Sequence, residues 1–462
     1  VIFEQYYLDC LSHASYLIGD ETTGRAVVID PQRDVQLYLD DAAAHGVGIE
    51  RVIETHFHAD FLSGHLELAA RTGATISYGE AAEGATFPIE KLAHGRRLSL
   101  GDVELEIRST PGHTPESICI VVYEHARDAV PYGVCTGDTL FIGDVGRPDL
   151  LSSRGVSADE LARALYRSTR EQLLTLPDAT RVFPAHGAGS ACGKQLSTET
   201  VSTIGEQRRT NYALADMPED AFVAAITEGQ PVAPLYFAFD AQLNREQRDL
   251  LDEHAPPPPL PLDDVLARQR SGAVVLDTRD ASEYAFGHLR GSIEVGLGGR
   301  FAEYAGDIVQ PEQEIVLVCE PGHELEAKIR LGRIGFDRVV GALDDPVRAF
   351  LEHPDAVVRS SRLSARELHD RLRDDVALID VRNPRELGSG TIAGARNLPL
   401  ARLTERLDEL DPAAPTVVFC AGGYRSAIAA SALTSAGFED VSDLLGGFDA
   451  WRAAGLEVVA SS

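Results

Sequence analysis

Two groups of side chains in this chain could do chemistry, and they lie far apart in the sequence. The first opens with Thr55-His56-Phe57-His58-Ala59-Asp60-Phe61. Histidines two apart on an extended chain point to one side, so His56 and His58 could both face one cation. His113 in Thr110-Pro111-Gly112-His113-Thr114, Asp138 in Thr136-Gly137-Asp138-Thr139 and His186 in Phe183-Pro184-Ala185-His186-Gly187 add the imidazole and carboxylate donors of a metal site. The second group is Cys420-Ala421-Gly422-Gly423-Tyr424-Arg425-Ser426. A thiol at the end of a strand, ahead of a glycine-bearing loop and a helix N-terminus, can be ringed by backbone N–H donors that favour its thiolate.

Rigid elements must hold these groups. The apolar run 51–53 reads as a buried strand ending at Thr55, and strand-like runs over 103–107, 130–135 and 181–183 precede the loops carrying His113, Asp138 and His186. Residues 1 to about 250 read as alternating strands and helices, with a helical stretch over 245–254. Pro256-Pro257-Pro258-Pro259 then reads as a stiff extended spacer and a domain boundary. Beyond it the chain repeats itself. Val274-Val275-Leu276-Asp277-Thr278-Arg279 matches Ala377-Leu378-Ile379-Asp380-Val381-Arg382, and Glu283, Gly287 and Gly291 match Glu386, Gly390 and Gly394, each 103 residues on. Cys319 and Cys420 each follow an apolar strand, 101 residues apart. So long a period means two tandem domains rather than a solenoid.

The order and surroundings of the metal-type residues resemble the metallo-β-lactamase superfamily, whose usual motif is His-x-His-x-Asp-His. Phe61 stands where that motif has its last histidine. A phenyl ring has no lone pair to donate, so the second metal of the dinuclear hydrolases loses a nitrogen ligand, and one metal per chain is expected. The mononuclear members that this chain resembles are the persulfide dioxygenases. That resemblance implies a facial triad of His56, His113 and Asp138 on one ferrous iron, with zinc as the alternative metal. It also implies that His58, Asp60 and His186 orient the ligands or hold water. The match extends to residues 141–150 and 192–200, where Arg147 and Lys194 are candidates to bind carboxylates of a thiol substrate, an exposed surface position being the other reading.

Both halves of the repeat resemble the rhodanese family, small α/β domains with a mostly parallel sheet. The resemblance implies that Cys420 is a nucleophile carrying a persulfide and that Arg425 helps to hold an anionic sulfur species. The helix after the loop is expected over 427–436. Cysteine phosphatases have a similar loop but separate Cys from Arg by five residues, whereas four separate Cys420 from Arg425, a smaller ring suited to sulfur. The first copy reads Cys319-Glu320-Pro321-Gly322-His323-Glu324-Leu325. Glu324 replaces the arginine, a second acid follows the thiol, and Pro321 removes a loop donor. That copy is expected to be catalytically degenerate, with a packing or docking role.

Length and charge narrow the class. At 462 residues the chain is too long for one core. Its net charge of -30, with no basic run, opposes binding of a phosphate backbone, so no nucleic-acid partner is expected. No apolar run reaches the roughly 18 residues of a membrane span, and the start lacks a basic segment ahead of an apolar one, so a cytoplasmic protein without a membrane partner is expected. The other cysteines are scattered without a Cys-x-x-Cys pair and read as buried small apolar residues.

The expected architecture is α/β throughout. Residues 1–255 form a metallo-β-lactamase-like αββα sandwich, and two rhodanese domains follow over 260–355 and 360–462. The resemblance to persulfide dioxygenase–rhodanese fusions implies oxidation of a low-molecular-weight thiol persulfide by oxygen, giving thiol and sulfite. The rhodanese part would move sulfane sulfur between persulfide, sulfite and thiosulfate. The chain is compatible with a homo-oligomer. Two other readings remain: a zinc thioester hydrolase similar to glyoxalase II fused to a sulfurtransferase, and a sulfur carrier or sensor whose metal domain is structural.

Overall fold

In the computed structural model, which describes residues 1–150, 155–372 and 376–460, the chain divides into two compact units. One holds Val1–Ala233 and Phe237–Leu251, the other Pro234–Tyr236 and the residues from Asp252 onward.

The first unit is an αββα sandwich of two six-stranded sheets. One sheet runs in chain order from Ile2–Leu8 through His13–Asp20, Arg25–Ile29, Gly48–Ile53 and Thr75–Gly79 to Glu90–Leu92. The other runs in reverse chain order from Ser202–Thr203 through Arg181–Pro184, Gly133–Gly137, Ile118–Tyr123 and Glu104–Ser109 to Arg97–Ser99. Alternation along each strand explains the layers. Ile18, Val27 and Ile29 face Leu105, Ile120 and Val122 between the sheets. Their sequence neighbours Leu17 and Val28 pack outward with Tyr38 and Ala42 of the helix Gln36–His45. Val121 likewise packs outward with Ala162 and Leu165 of the helix Ala158–Ser168. Strands buried on both faces must be apolar at every position, as Ile118–Tyr123 is.

The second unit holds two five-stranded parallel sheets with one topology. The first orders Pro259–Leu260, Val339–Leu343, Ile315–Val318, Val274–Asp277 and Ile293–Glu294; the second orders Ser361–Leu363, Val441–Leu444, Thr416–Phe419, Ala377–Asp380 and Arg396–Asn397. In each, strand order reverses beside the strand that precedes the cysteine, so Cys319 and Cys420 stand at the switch point, where α/β sheets open a crevice.

Three local expectations are corrected. No helix forms over 245–254; the helix Phe237–Leu243 ends sooner, and the following residues carry turns and irregular backbone. The last proline of the spacer enters an edge strand pairing with Ala342, a place where its missing N–H costs nothing. The helix after Cys420 begins at Tyr424 rather than Ala427. Among the described residues no helix is long and apolar enough to cross a membrane. All six cysteines are free, and five are buried.

Candidate metal centre and thiol loop

The strand ends carry the metal-type residues into one buried cluster. His56, His113 and Asp138 each offer a donor atom within 4.8 Å of the others, and all three are buried. Asp138 Oδ2 is 3.5 Å from His113 Nε2 and 3.9 Å from His56 Nε2. Donors sharing one cation at about 2.1 Å stand roughly 3 Å apart, so small side-chain shifts would complete coordination. His56 Nε2 and both Asp138 oxygens are buried without a hydrogen-bond partner. Three such atoms converging in one place are costly alone and fit a cation.

Hydrogen bonds on the far side of each ring fix which nitrogen faces inward. Thr55 Oγ1 donates its only proton to Asp30 Oδ2 at 2.8 Å, so it accepts from His56 Nδ1 at 3.0 Å. His113 Nδ1 donates to the Arg147 carbonyl at 2.8 Å and His186 Nδ1 to that of Ser12 at 3.2 Å. All three imidazoles therefore present Nε2 lone pairs. Burial pulls His56 well below the ordinary histidine range and His113 down to about 4, which keeps both neutral as ligands require. Burial lifts Asp138 and Asp60 to about 6. Close backbone approach is built in at Gly146, where a Cβ would stand 2.0 Å from the Asp138 carbonyl and 3.1 Å from His113 Cβ.

His58 does not point with His56. Residues 54–61 form a loop rather than a strand, so the two-residue period does not apply. Its Nε2 lies 3.1 Å from Asp30 Oδ1 and 3.5 Å from Glu54 Oε2. Burial opposes charge on this ring, yet the two carboxylates outweigh it and hold His58 well above the usual value. His58, Asp60 and His186 still form a second set with donors within 4.8 Å of one another, and His186 Nε2 is 3.1 Å from Asp60 Oδ2. Phe61 closes that side, its ring centroid 4.3 Å from that of His58 and 3.9 Å from that of His13.

Four participants escaped the sequence reading. Asp30 ties the His56 loop to the neighbouring strand at a positive φ of 48°, and the Ile-Asp-Pro strand end was its only signal. Glu54 and His13 lie within apolar or polar runs without a pattern. Cys192, read as a small apolar core residue, instead sits within 4.8 Å of donors on Asp138 and His186. Its place in the 192–200 segment was the available hint.

Arg147 and Lys194 are both engaged within the fold. The Arg147 guanidinium is 4% exposed and bonds Asp149 through two nitrogens at 2.8 and 2.7 Å, the Ala191 carbonyl at 3.0 Å and that of Pro231 at 2.8 Å. It is not a surface cation, and its backbone carbonyl serves His113. Lys194 Nζ donates to the carbonyls of Ala225 and Glu228 and stands 5.0 Å above the Tyr212 ring.

In the second unit Cys420 is buried at the end of Thr416–Phe419. Of the expected ring of donors, Gly423 N–H reaches Sγ at 3.1 Å, from a φ of 103° that favours glycine. A Cβ at Gly447 would stand 2.4 Å from the Cys420 carbonyl, so this glycine lets the next turn pack under the loop. Arg425 is held by Glu386 in a two-pronged pair, 2.7 Å on each arm. Burial works against the Glu386 carboxylate, and Arg425 outweighs it to hold the group below its usual range. Glu386→Gln should release the guanidinium and weaken binding of an anionic substrate at this loop, raising KM about tenfold and leaving kcat nearly unchanged. Steady-state kinetics would show this, and an equal fall in kcat would mean a different role.

In the first copy Glu324 replaces that arginine. Burial first, then Glu324 and Asp277, push the Cys319 thiol up to about 12.

Comparison with known proteins gives two family matches. Residues 8–186 match the metallo-beta-lactamase superfamily, and residues 262–353 and 364–454 each match the rhodanese-like domain. The chain spans about half the length of the first curated relatives, such as a beta-lactamase hydrolase-like protein of Agrobacterium fabrum, 30% identical over 45% of this chain and 51% of that one. The human mitochondrial persulfide dioxygenase ETHE1 is 31% identical over 43% of this chain and 70% of its own. A hydroxyacylglutathione hydrolase of Polaromonas sp. is 34% identical over 37% of this chain and 61% of its own. The crystal structure of a metallo-beta-lactamase from Staphylococcus aureus covers 74% of this chain and 98% of its own, with 33% identity and a TM-score of 0.66.

Proposed function

Since the chain belongs to the metallo-beta-lactamase superfamily, through a domain related to the persulfide dioxygenases and followed by two rhodanese-like domains, we propose that it oxidises a low-molecular-weight thiol persulfide. Persulfide, oxygen and water would give thiol and sulfite. The observation that carries this reading is the buried set of His56, His113 and Asp138, with Nε2 and carboxylate lone pairs facing one another. Two imidazoles and one carboxylate would hold a ferrous ion by one face, and the ion would supply the activation of oxygen. The protein's own contribution is orientation. Thr55 and the Arg147 carbonyl lock the His56 and His113 tautomers, and burial keeps both rings neutral.

In the second rhodanese-like domain Cys420 would carry sulfane sulfur as a persulfide and pass it to sulfite, forming thiosulfate, or run the reverse transfer. Gly423 N–H supports negative charge on Sγ. Arg425, positioned by Glu386, would meet the anionic substrate. Sulfite made at one site is thus an acceptor at the other.

Metal content tests the reading. Anaerobically purified protein should hold one iron per chain and consume oxygen when given a thiol persulfide. The zinc thioester hydrolase, the second reading, draws on the hydroxyacylglutathione hydrolase likeness and on the second donor set of His58, Asp60 and His186. Against it, Phe61 fills the position of a nitrogen ligand and His58 is committed to Asp30 and Glu54. Two tightly held zinc ions per chain with thioesterase activity would replace the dioxygenase reading.

A further inference from the structure

The degenerate repeat keeps a cavity of about 420 Å³ at the C-terminal ends of its parallel strands, the place where α/β sheets bind ligands. Its wall includes Asp280, Glu294, Glu320, His323 and Tyr424, and none of its lining residues is Lys or Arg. Such a lining repels the thiosulfate and sulfite that a working rhodanese pocket receives. Reversed charge in a retained cavity points to a different ligand.

Glu294 is the informative residue. It ends the edge strand Ile293–Glu294 and is fully buried. One carboxylate oxygen, Oε1, accepts the Gly296 N–H at 2.7 Å, while Oε2 is buried without a hydrogen-bond partner. The nearby cations are engaged elsewhere: Arg279 on Asp277, Arg362 on Asp443 at 2.9 Å, and Arg330, behind the cavity wall, on the Leu297 and Gly299 carbonyls and on Glu326. A buried carboxyl oxygen left unpaired is costly, so it calls for a partner. Tyr424 supplies an aromatic wall, its one hydroxyl proton donated to the Gly296 carbonyl at 2.5 Å with the Gly298 carbonyl also within reach at 3.0 Å.

We propose that this cavity binds a small organic cation bearing an ammonium group, with Glu294 Oε2 as its buried acceptor and Asp280 and Glu320 at the rim. The ammonium supplies the missing donor, and the Tyr424 ring can add a cation–π contact. Tyr424 directly follows Gly423, the donor to Cys420 Sγ, so the ligand lies against the working thiol loop. Burial, with Asp277 and Asp443 adding and Arg362 opposing, raises the Glu294 carboxyl to about 8. Without a ligand it therefore holds its proton at neutral pH, and docking of an ammonium expels that proton. Asp280, Glu320, His323 and Tyr424 also face the cavity. Asp280, held below its usual range by the Ser282 hydroxyl and N–H, adds a fixed negative charge at the rim, so binding tightens from pH 7 to pH 9.

The test is isothermal titration of the full chain with 1,4-diaminobutane, using 1,4-butanediol as the neutral isostere. Saturable binding of the diamine with one site per chain, tighter at pH 9 than at pH 7, and no binding of the diol are expected. Glu294→Gln keeps the shape and the hydrogen bond from Gly296 and should weaken binding about tenfold or more. The exposed Glu320→Gln should weaken it less, and reports on the site if Glu294→Gln folds poorly. A net charge of -30 attracts diamines without a site, but that attraction survives both substitutions and is screened by salt. Non-saturable binding, or equal affinity in both variants, would overturn the proposal.

Discussion

His113→Ala is expected to abolish persulfide-dependent oxygen uptake while leaving thiosulfate sulfurtransfer largely intact. His113 Nε2 is one of three donors facing the same point, 3.5 Å from Asp138 Oδ2, and its tautomer is fixed by the Arg147 carbonyl. Loss of a residue that merely supports a ligand costs about 10–100-fold in metal affinity or activity, so loss of a ligand should exceed about 100-fold. Alanine keeps the Cβ against which Gly146 packs, and the variant should fold. Cys420 belongs to a different compact unit, which is why the second activity should survive. Oxygen-electrode assays, iron content and a thiosulfate assay on the same preparation check the outcome. Loss of both activities in a folded variant would mean that the two sites depend on each other. His58→Ala is the contrast: it leaves His56, His113 and Asp138 in place, so its loss of iron and of uptake should stay within about 10–100-fold and below that of His113→Ala.

The different fates of His56 and His58 show what a sequence can carry. The candidate donors and their order along the chain were legible, because each sits just after an apolar run that reads as a buried strand. The runs gave alternating strands and helices, the family resemblance implied their architecture, and the repeat followed from matched strand ends such as Asp277-Thr278-Arg279 and Asp380-Val381-Arg382. Direction was not legible. Which way His58 turns depends on Asp30 and Glu54, and Asp30 comes from the end of a neighbouring strand. The burial of Arg147 was not legible for a related reason: two of its partners, Ala191 and Pro231, are backbone carbonyls distant in sequence, which no side-chain pattern announces. The 245–254 helix failed because tertiary contacts claim that segment. Arg245 lies over the Phe57 ring, and Arg248 pairs with the buried Glu67. Such long-range partners override local propensity.

The two rhodanese-like domains share one topology, so a difference in reactivity between their thiols must come from the loops. Both cysteines are buried at the end of a central parallel strand, 2% exposed for Cys319 and 1% for Cys420. Gly423 N–H points at Cys420 Sγ, and Arg425 is held close in sequence by Glu386. In the first copy the arginine position is Glu324, whose carboxylate accepts the Gly322 N–H at 3.0 Å and so removes a donor from the thiol. With its thiol pushed up to about 12, Cys319 stays protonated at neutral pH and is a poor nucleophile. Cys420→Ser is therefore expected to remove sulfurtransferase activity by more than about 1000-fold, since oxygen cannot carry the persulfide. Cys319→Ser should change it less than about twofold, and peptide mapping after thiosulfate treatment should place the added sulfur on Cys420. Iodoacetamide should label Cys420 first at neutral pH, with Cys319 reacting only as the pH is raised toward its own range. Sulfur found mainly on Cys319 would assign the transfer to the first domain and make the Glu324 loop, not the Arg425 loop, the one that chemistry uses.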